Sequence, residues 1–160
     1  MVYFGAILVI FGAYTVWREY ALFLDKDLLW CRTFLAALTD YREKVKCYMN
    51  TPAMWADGYT DKLLCECGFL DKLVDGANFS EAYADIRKLT HLTDNADAIL
   101  SSCFERLGEG YLDVEIEILE SAIDKLSREE KELAESLAKR RKAVGAMIGA
   151  FAVGMIILII

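Results

Sequence analysis

Residues 112–160 read LDVEIEILESAIDKLSREEKELAESLAKRRKAVGAMIGAFAVGMIILII, a stretch without proline and without glycine before Gly145. Leu112, Ile116, Leu119, Ile123, Leu126, Leu133 and Leu137 follow steps of four and three residues, and only Glu130 interrupts the series. That spacing builds an apolar seam on one side of a helix, suited to packing along an antiparallel or coiled partner. Nothing separates the seam from Lys139-Arg140-Arg141-Lys142 or from the apolar residues 143–160. The stretch therefore predicts one helix from near Asp113 to Ile160, about 70 Å long at ~1.5 Å per residue, with its last third in lipid.

Residues 143–160 are apolar on every face and just long enough to span a bilayer, which needs roughly 17–25 such residues. The other end of the chain matches them. Residues 1–17, MVYFGAILVIFGAYTVW, contain no charged side chain. They lack the basic leader and the Ala-x-Ala-like cleavage site of a signal peptide. Trp17 and Tyr20 suit an interfacial aromatic belt. The expected organisation is a transmembrane helix over 1–17, a helical bundle over 18–142 and a second transmembrane helix over 143–160.

Charge placement orients this arrangement. All 18 Lys and Arg and all 25 Asp and Glu of the 160-residue chain fall between Arg18 and Lys142. Arg18 directly follows the first apolar segment, and Lys139, Arg140, Arg141 and Lys142 directly precede the second. Basic residues beside a span resist translocation, so residues 18–142 are expected in the cytoplasm and both termini outside. The same cations would attract anionic lipid at the membrane surface. A net charge of −7 disfavours nucleic acid as a partner, because that affinity rests on neutralising phosphates. The five cysteines, Cys31, Cys47, Cys65, Cys67 and Cys103, form no complete disulfide set and would stay reduced in the cytoplasm.

The middle reads as helices throughout. Asp25 or Asp27 is expected to cap a helix carrying Leu28, Cys31, Phe34, Leu35, Leu38 and Val45. Thr51-Pro52 opens a helix with Trp55, Tyr59, Leu63 and Cys67, stopped by Gly68. A short apolar turn over 69–74 ends at Gly76. Ser80 is expected to cap a helix with Tyr83, Ile86 and Leu89, and Thr93 or Asp94 one with Ile99, Leu100, Cys103, Phe104 and Leu107, stopped by Gly108.

No catalytic constellation emerges. His91 is the sole histidine and has no base partner in its pattern. Cys65-Glu66-Cys67 is a CxC whose side chains diverge on a helix, so structural cysteines are expected rather than a metal site. Asp113, Glu115, Glu117 and Glu120 start a helix, where acidic residues complement the dipole, and read as a solvated face. A GxxxxGK[ST] phosphate loop is absent. The expectation is a chain that is not an enzyme and has no cofactor and no small-molecule substrate. The apolar ends offer packing features instead. Gly145 and Gly149 form GxxxG, Ala146, Ala150 and Gly154 a second row of small residues, and Gly5 and Gly12 lie about two turns apart. Small residues let helix backbones approach closely in lipid.

The order of these parts resembles the stage III sporulation protein AB family of endospore-forming bacteria. Tyr48-Met49-Asn50-Thr51-Pro52 resembles that family's tyrosine followed by Thr-Pro. Gly76-Ala77-Asn78-Phe79-Ser80-Glu81-Ala82 is similar to the Gly-x-x-Phe/Leu-Ser-x-Ala turn of the type II secretion F-type domain, which the family's bundle resembles. Leu107-Gly108 with Asp113 and Glu117, and Leu126 with Glu129-Glu130, Lys142 and Gly145, resemble the approach to the final membrane helix. Four residues part Gly108 from Asp113 where the family usually has two, and Glu117 stands in place of Gln. The resemblance implies a scaffold subunit of a secretion-like channel complex linking mother cell and forespore. It would lie integral to the mother-cell membrane around the forespore. Its partners would be the lipid bilayer, other subunits of the complex and a cytoplasmic ATPase. A generic type II secretion or pilus assembly platform has the same physics. A metal- or redox-sensing membrane protein using Cys65, Cys67 and Cys103 is the third reading.

Overall fold

The computed structural model describes residues 2–108 and 110–159, with side chains for 5, 7–108 and 110–158. Met1 and Ile160, the outer ends of the two expected spans, lie outside the described residues. Among the described residues seven helices follow in order: α1 (Val2–Lys46), α2 (Pro52–Ala56), α3 (Lys62–Glu66), α4 (Phe69–Val74), α5 (Phe79–Ile86), α6 (Asp94–Phe104) and α7 (Leu112–Ile159). No strand occurs among the described residues. The all-α class and the long final helix match the sequence reading.

The first helix does not. Instead of one helix ending near Trp17 and another capped at Asp25 or Asp27, α1 runs without a break through both aspartates. An Asp cap works by leaving helical geometry, and nothing here forces that exit: no Gly or Pro lies between Gly12 and Pro52. Asp25 instead pairs with Arg141.

Contacts divide the chain into two compact units, Asp27–Lys131 and a pair formed by Met1–Lys26 with Glu132–Ile160. Residues 18–26 and 132–142 thus group with the apolar ends.

The core of Asp27–Lys131 is aromatic. Phe34, Tyr41, Trp55, Phe69, Phe79 and Phe104 are fully buried. Trp55 sits 4.9 Å from Phe69, edge to face, and 5.3 and 5.5 Å from Phe79 and Phe104 by ring centroid. Phe79 and Phe104 stack at 6.0 Å with 8° between their planes. Such contacts add roughly 0.5–1.5 kcal/mol per pair beyond area burial. Leu119 and Leu126 of the seam are completely buried, and Leu112, Ile116 and Ile123 pack partly against the same core. Ile118 and Ala122 are also buried, which widens the seam into a broader face. Along this unit α1 and α7 are antiparallel: Arg32 pairs with Glu130 at 2.7 Å and Lys46 with Glu120 at 3.6 Å.

The helix expected over 52–67 is two helices. Gly58 takes a left-handed φ of 81° and breaks it, and Asp61 caps α3 by accepting the N–H of Leu63 at 2.9 Å. Ser80 is not the cap of α5. Asn78 is, through a capping box with Glu81 in which each side chain accepts the other residue's backbone N–H. Leu89 lies beyond the end of α5 and is 63% exposed. Thr93 caps α6 as expected, its hydroxyl accepting the N–H of Ala96 at 3.2 Å.

Candidate functional site

The apolar ends form a helix pair. Both long helices are apolar enough to cross a membrane, with 18-residue windows of mean hydropathy 1.4 and 1.7 of which only 6% is buried in each case. Their contact line runs through Ala13 on α1 and Ile148 and Ala152 on α7, residues shared by two grooves on its flanks. Ala152 is buried, whereas Ile7, Phe11, Phe151 and Leu158 stand more than half exposed.

The five glycines behave differently. A Cβ placed on Gly145 would meet Trp17 Nε1 at 3.3 Å and Cδ1 at 3.7 Å, so the indole of α1 lies against this backbone. The same test finds open space within 4 Å at Gly12, Gly149 and Gly154. Gly5 is half-buried on α1. Gly145 thus admits a neighbouring side chain, while Gly12 and Gly149 line the flanking grooves.

The first groove, about 540 Å³, is lined only by apolar residues, among them Val9, Gly12, Val144, Phe151 and Met155. The second, about 520 Å³, passes Ile10, Tyr14, Trp17 and Gly149 and reaches Arg141 and Lys142 at one end. Arg141 pairs with Asp25 while its Nε is buried without an acceptor. Arg18 pairs weakly with Glu19 at 3.8 Å. Lys139, Arg140 and Lys142 form no ion pair among the described residues. In the seam, Leu137 is buried and Leu133 half-buried.

The compact unit Asp27–Lys131 carries 12 Lys and Arg against 21 Asp and Glu, a net −9. One acid departs from the expected solvated face. Asp113, Glu117 and Glu120 are exposed, but Glu115 is completely buried. Its Oε1 accepts the backbone N–H of Gly108 at 2.6 Å and of Gly110 at 3.3 Å. Oε1 satisfies donors of the α6–α7 connection, which offsets part of the cost of burying the carboxylate, while Oε2 is buried without a partner. Sequence alone gave one hint, a carboxylate seven residues after a helix-stopping glycine, and no way to rank it above its three acidic neighbours.

The reactive groups lie apart. Burial pushes the thiols of Cys31 and Cys103 up to about 12, with neighbouring carboxylates adding to the effect. Burial also raises Cys67 and lifts the Tyr59 phenol to about 12. Thiols so placed stay protonated and act as small apolar side chains. Cys65 is exposed, Cys67 is half-buried and bonded to the Leu64 carbonyl, and His91 is exposed between α5 and α6. Among the described residues no three His, Cys, Asp or Glu side chains gather as a metal site. Tyr83 donates to Asp97 at 2.7 Å, and Asp97 also pairs with Arg87, an arrangement that ties α5 to α6.

No protein-family model, curated protein or solved structure matches the chain.

Proposed function

We propose that the chain is a non-catalytic, doubly anchored membrane scaffold of the sporulation complex that links mother cell and forespore. The helices over 1–17 and 143–160 span the membrane, with both termini outside. The acidic bundle faces the cytoplasm and meets an ATPase of the complex, while the apolar helices meet its membrane subunits. The observation that supports this reading is the 6% burial of each terminal apolar window. A core helix of a soluble protein would hide such a window, whereas lipid is its natural solvent. The cations beside the apolar segments 1–17 and 143–160, Arg18 and Lys139–Lys142, support the orientation. The family resemblance of the bundle supplies the complex.

The test is purification of tagged full chain from sporulating cells, with identification of co-purifying proteins. Recovery of a cytoplasmic ATPase together with membrane subunits supports the reading. Release of the chain from membranes by alkaline carbonate, or production outside sporulation without those partners, overturns it.

A further inference from the structure

The two grooves flanking the helix pair are alike in size and unlike in chemistry. The first is apolar along its whole length. The second runs between α1 and α7 from Ile10 and Ala152 to Trp17, Arg141 and Lys142. From residue 141 to 152 it is about 16 Å long by helix rise. Its apolar length is open because Gly149 places no side chain there. Its charged end carries exposed Lys142, which has no anionic partner among the described residues, and Arg141, which pairs with Asp25 through Nη2.

We infer that this second groove binds an anionic phospholipid, its acyl chain along Gly149, Ile148 and Ala13 and its phosphate at Lys142 and Arg141. The inference rests on the membrane reading above and adds a specific ligand to it. Three features favour lipid over an incoming helix. A phosphate oxygen supplies the countercharge that Lys142 lacks. A second spanning helix would carry its own basic flank to the same side, against Lys139–Lys142, and like charges there repel. Trp17 borders the groove where the cations begin, and an amphipathic indole is favoured at the headgroup level. The first groove, without charge, offers an acyl chain no headgroup preference.

The experiment uses the full chain in a mild detergent, with phosphatidylglycerol and phosphatidylcholine of identical acyl chains added in equal amounts. Native mass spectrometry reads the bound lipid. The wild-type chain retains phosphatidylglycerol preferentially. Gly149→Leu, which fills open space, loses that retention. Lys142→Gln lowers the preference about fivefold, the value of one cation at a membrane surface. Phe151→Leu, on the first groove only, retains the lipid as the wild type does. Equal retention of the two lipids by the wild type, or undiminished retention by Gly149→Leu, overturns the site while leaving the membrane scaffold standing. A chain that stays monodisperse without detergent overturns both.

Discussion

Oε1 of Glu115 accepts the backbone N–H of Gly108 at 2.6 Å, from within a site that solvent does not reach. Gly108 itself has a φ of 90°, and a Cβ there would meet the Phe79 ring at 3.6 Å. The carboxylate, the glycine and the aromatic core thus fix the α6–α7 connection together. Removing the acceptor takes both bonds from the connection and leaves a space where the buried side chain packed.

Glu115→Ala is expected to cost roughly 1.5–3 kcal/mol, the loss of hydrogen bonds to a charged group. Glu117→Ala, on the exposed side of the same turn, stays within ~0.5 kcal/mol. Denaturant unfolding of the full chain in detergent, followed by helical circular dichroism, measures both. Equal stability of the two variants would show that the clasp carries no energy.

The seam is tested by charge insertion. Leu119→Asp and Leu126→Asp each place a carboxylate at a position with no exposure, at an expected cost of several kcal/mol, about 3–5. Ser121→Asp, on the exposed face, is near neutral. The same unfolding assay ranks them, and three equal midpoints would contradict a buried seam.

Within the helix pair, Gly145 and Gly149 separate. Gly145→Ile drives a branched side chain into the Trp17 indole, whereas Gly149→Ile enters open space. In a background without native cysteines, Ala13→Cys and Ile148→Cys lie on the contact line. Their oxidative cross-linking in membranes is expected to fall severalfold with Gly145→Ile and to persist with Gly149→Ile, because a held-apart backbone loses its van der Waals contact. Identical yields would remove Gly145 from the contact.

The buried thiols give a pH dependence with a definite sign. Cys31 and Cys103 ionise near 9.0 when exposed and near 12 in the fold. Above pH 9 the unfolded chain therefore holds fewer protons than the folded one, and stability falls as pH rises. The loss runs between about pH 9 and 12, at up to ~1.4 kcal/mol per pH unit for each thiol. Below pH 8 the contribution is complete and constant. Iodoacetamide at pH 9 should modify exposed Cys47 and Cys65 while sparing Cys31 and Cys103 until the chain is unfolded. Rapid modification of Cys103 in the folded chain would contradict its placement.

Periodicity made α7 legible because a 4-3 pattern over many turns leaves no other structure that buries it. The core positions of α1 were equally legible, with Cys31, Phe34, Leu38 and Val45 buried as their spacing implied. The continuity of α1 was not. Asp25 is a good cap by type, and only its ion pair with Arg141, distant in sequence, shows what it does instead. Short helices were misread for a related reason. Gly58 inside an apolar pattern can be tolerated or can break it, and its φ of 81° decides the matter. Asn78 and Ser80 are both good caps, so only the reciprocal bond with Glu81 separates them. Tyr48 is the extreme case. It occupies the left-handed position of a Schellman ending of α1, with its own N–H on Val45 and that of Met49 on Lys44, where glycine is usual. At the candidate site, composition located the apolar ends and the basic flank. The glycine that touches a neighbour and the groove that ends in charge depend on how two helices face each other, which no local pattern encodes.

Trp55 has an optical consequence. Its indole is enclosed by Tyr41, Phe69, Phe79 and Phe104, and its Nε1 has no hydrogen-bond partner. An excited indole lowers its energy by reorienting polar neighbours, and a ring packed among aromatic side chains with no hydrogen bond at Nε1 has little to reorient. Trp55 therefore emits at the short-wavelength end of the tryptophan range. Trp17, 38% exposed among apolar side chains, takes its emission colour from whatever solvent surrounds the helix pair. Of the chain's three tryptophans, Trp55 therefore reports the integrity of the aromatic core and Trp17 the medium around the helix pair.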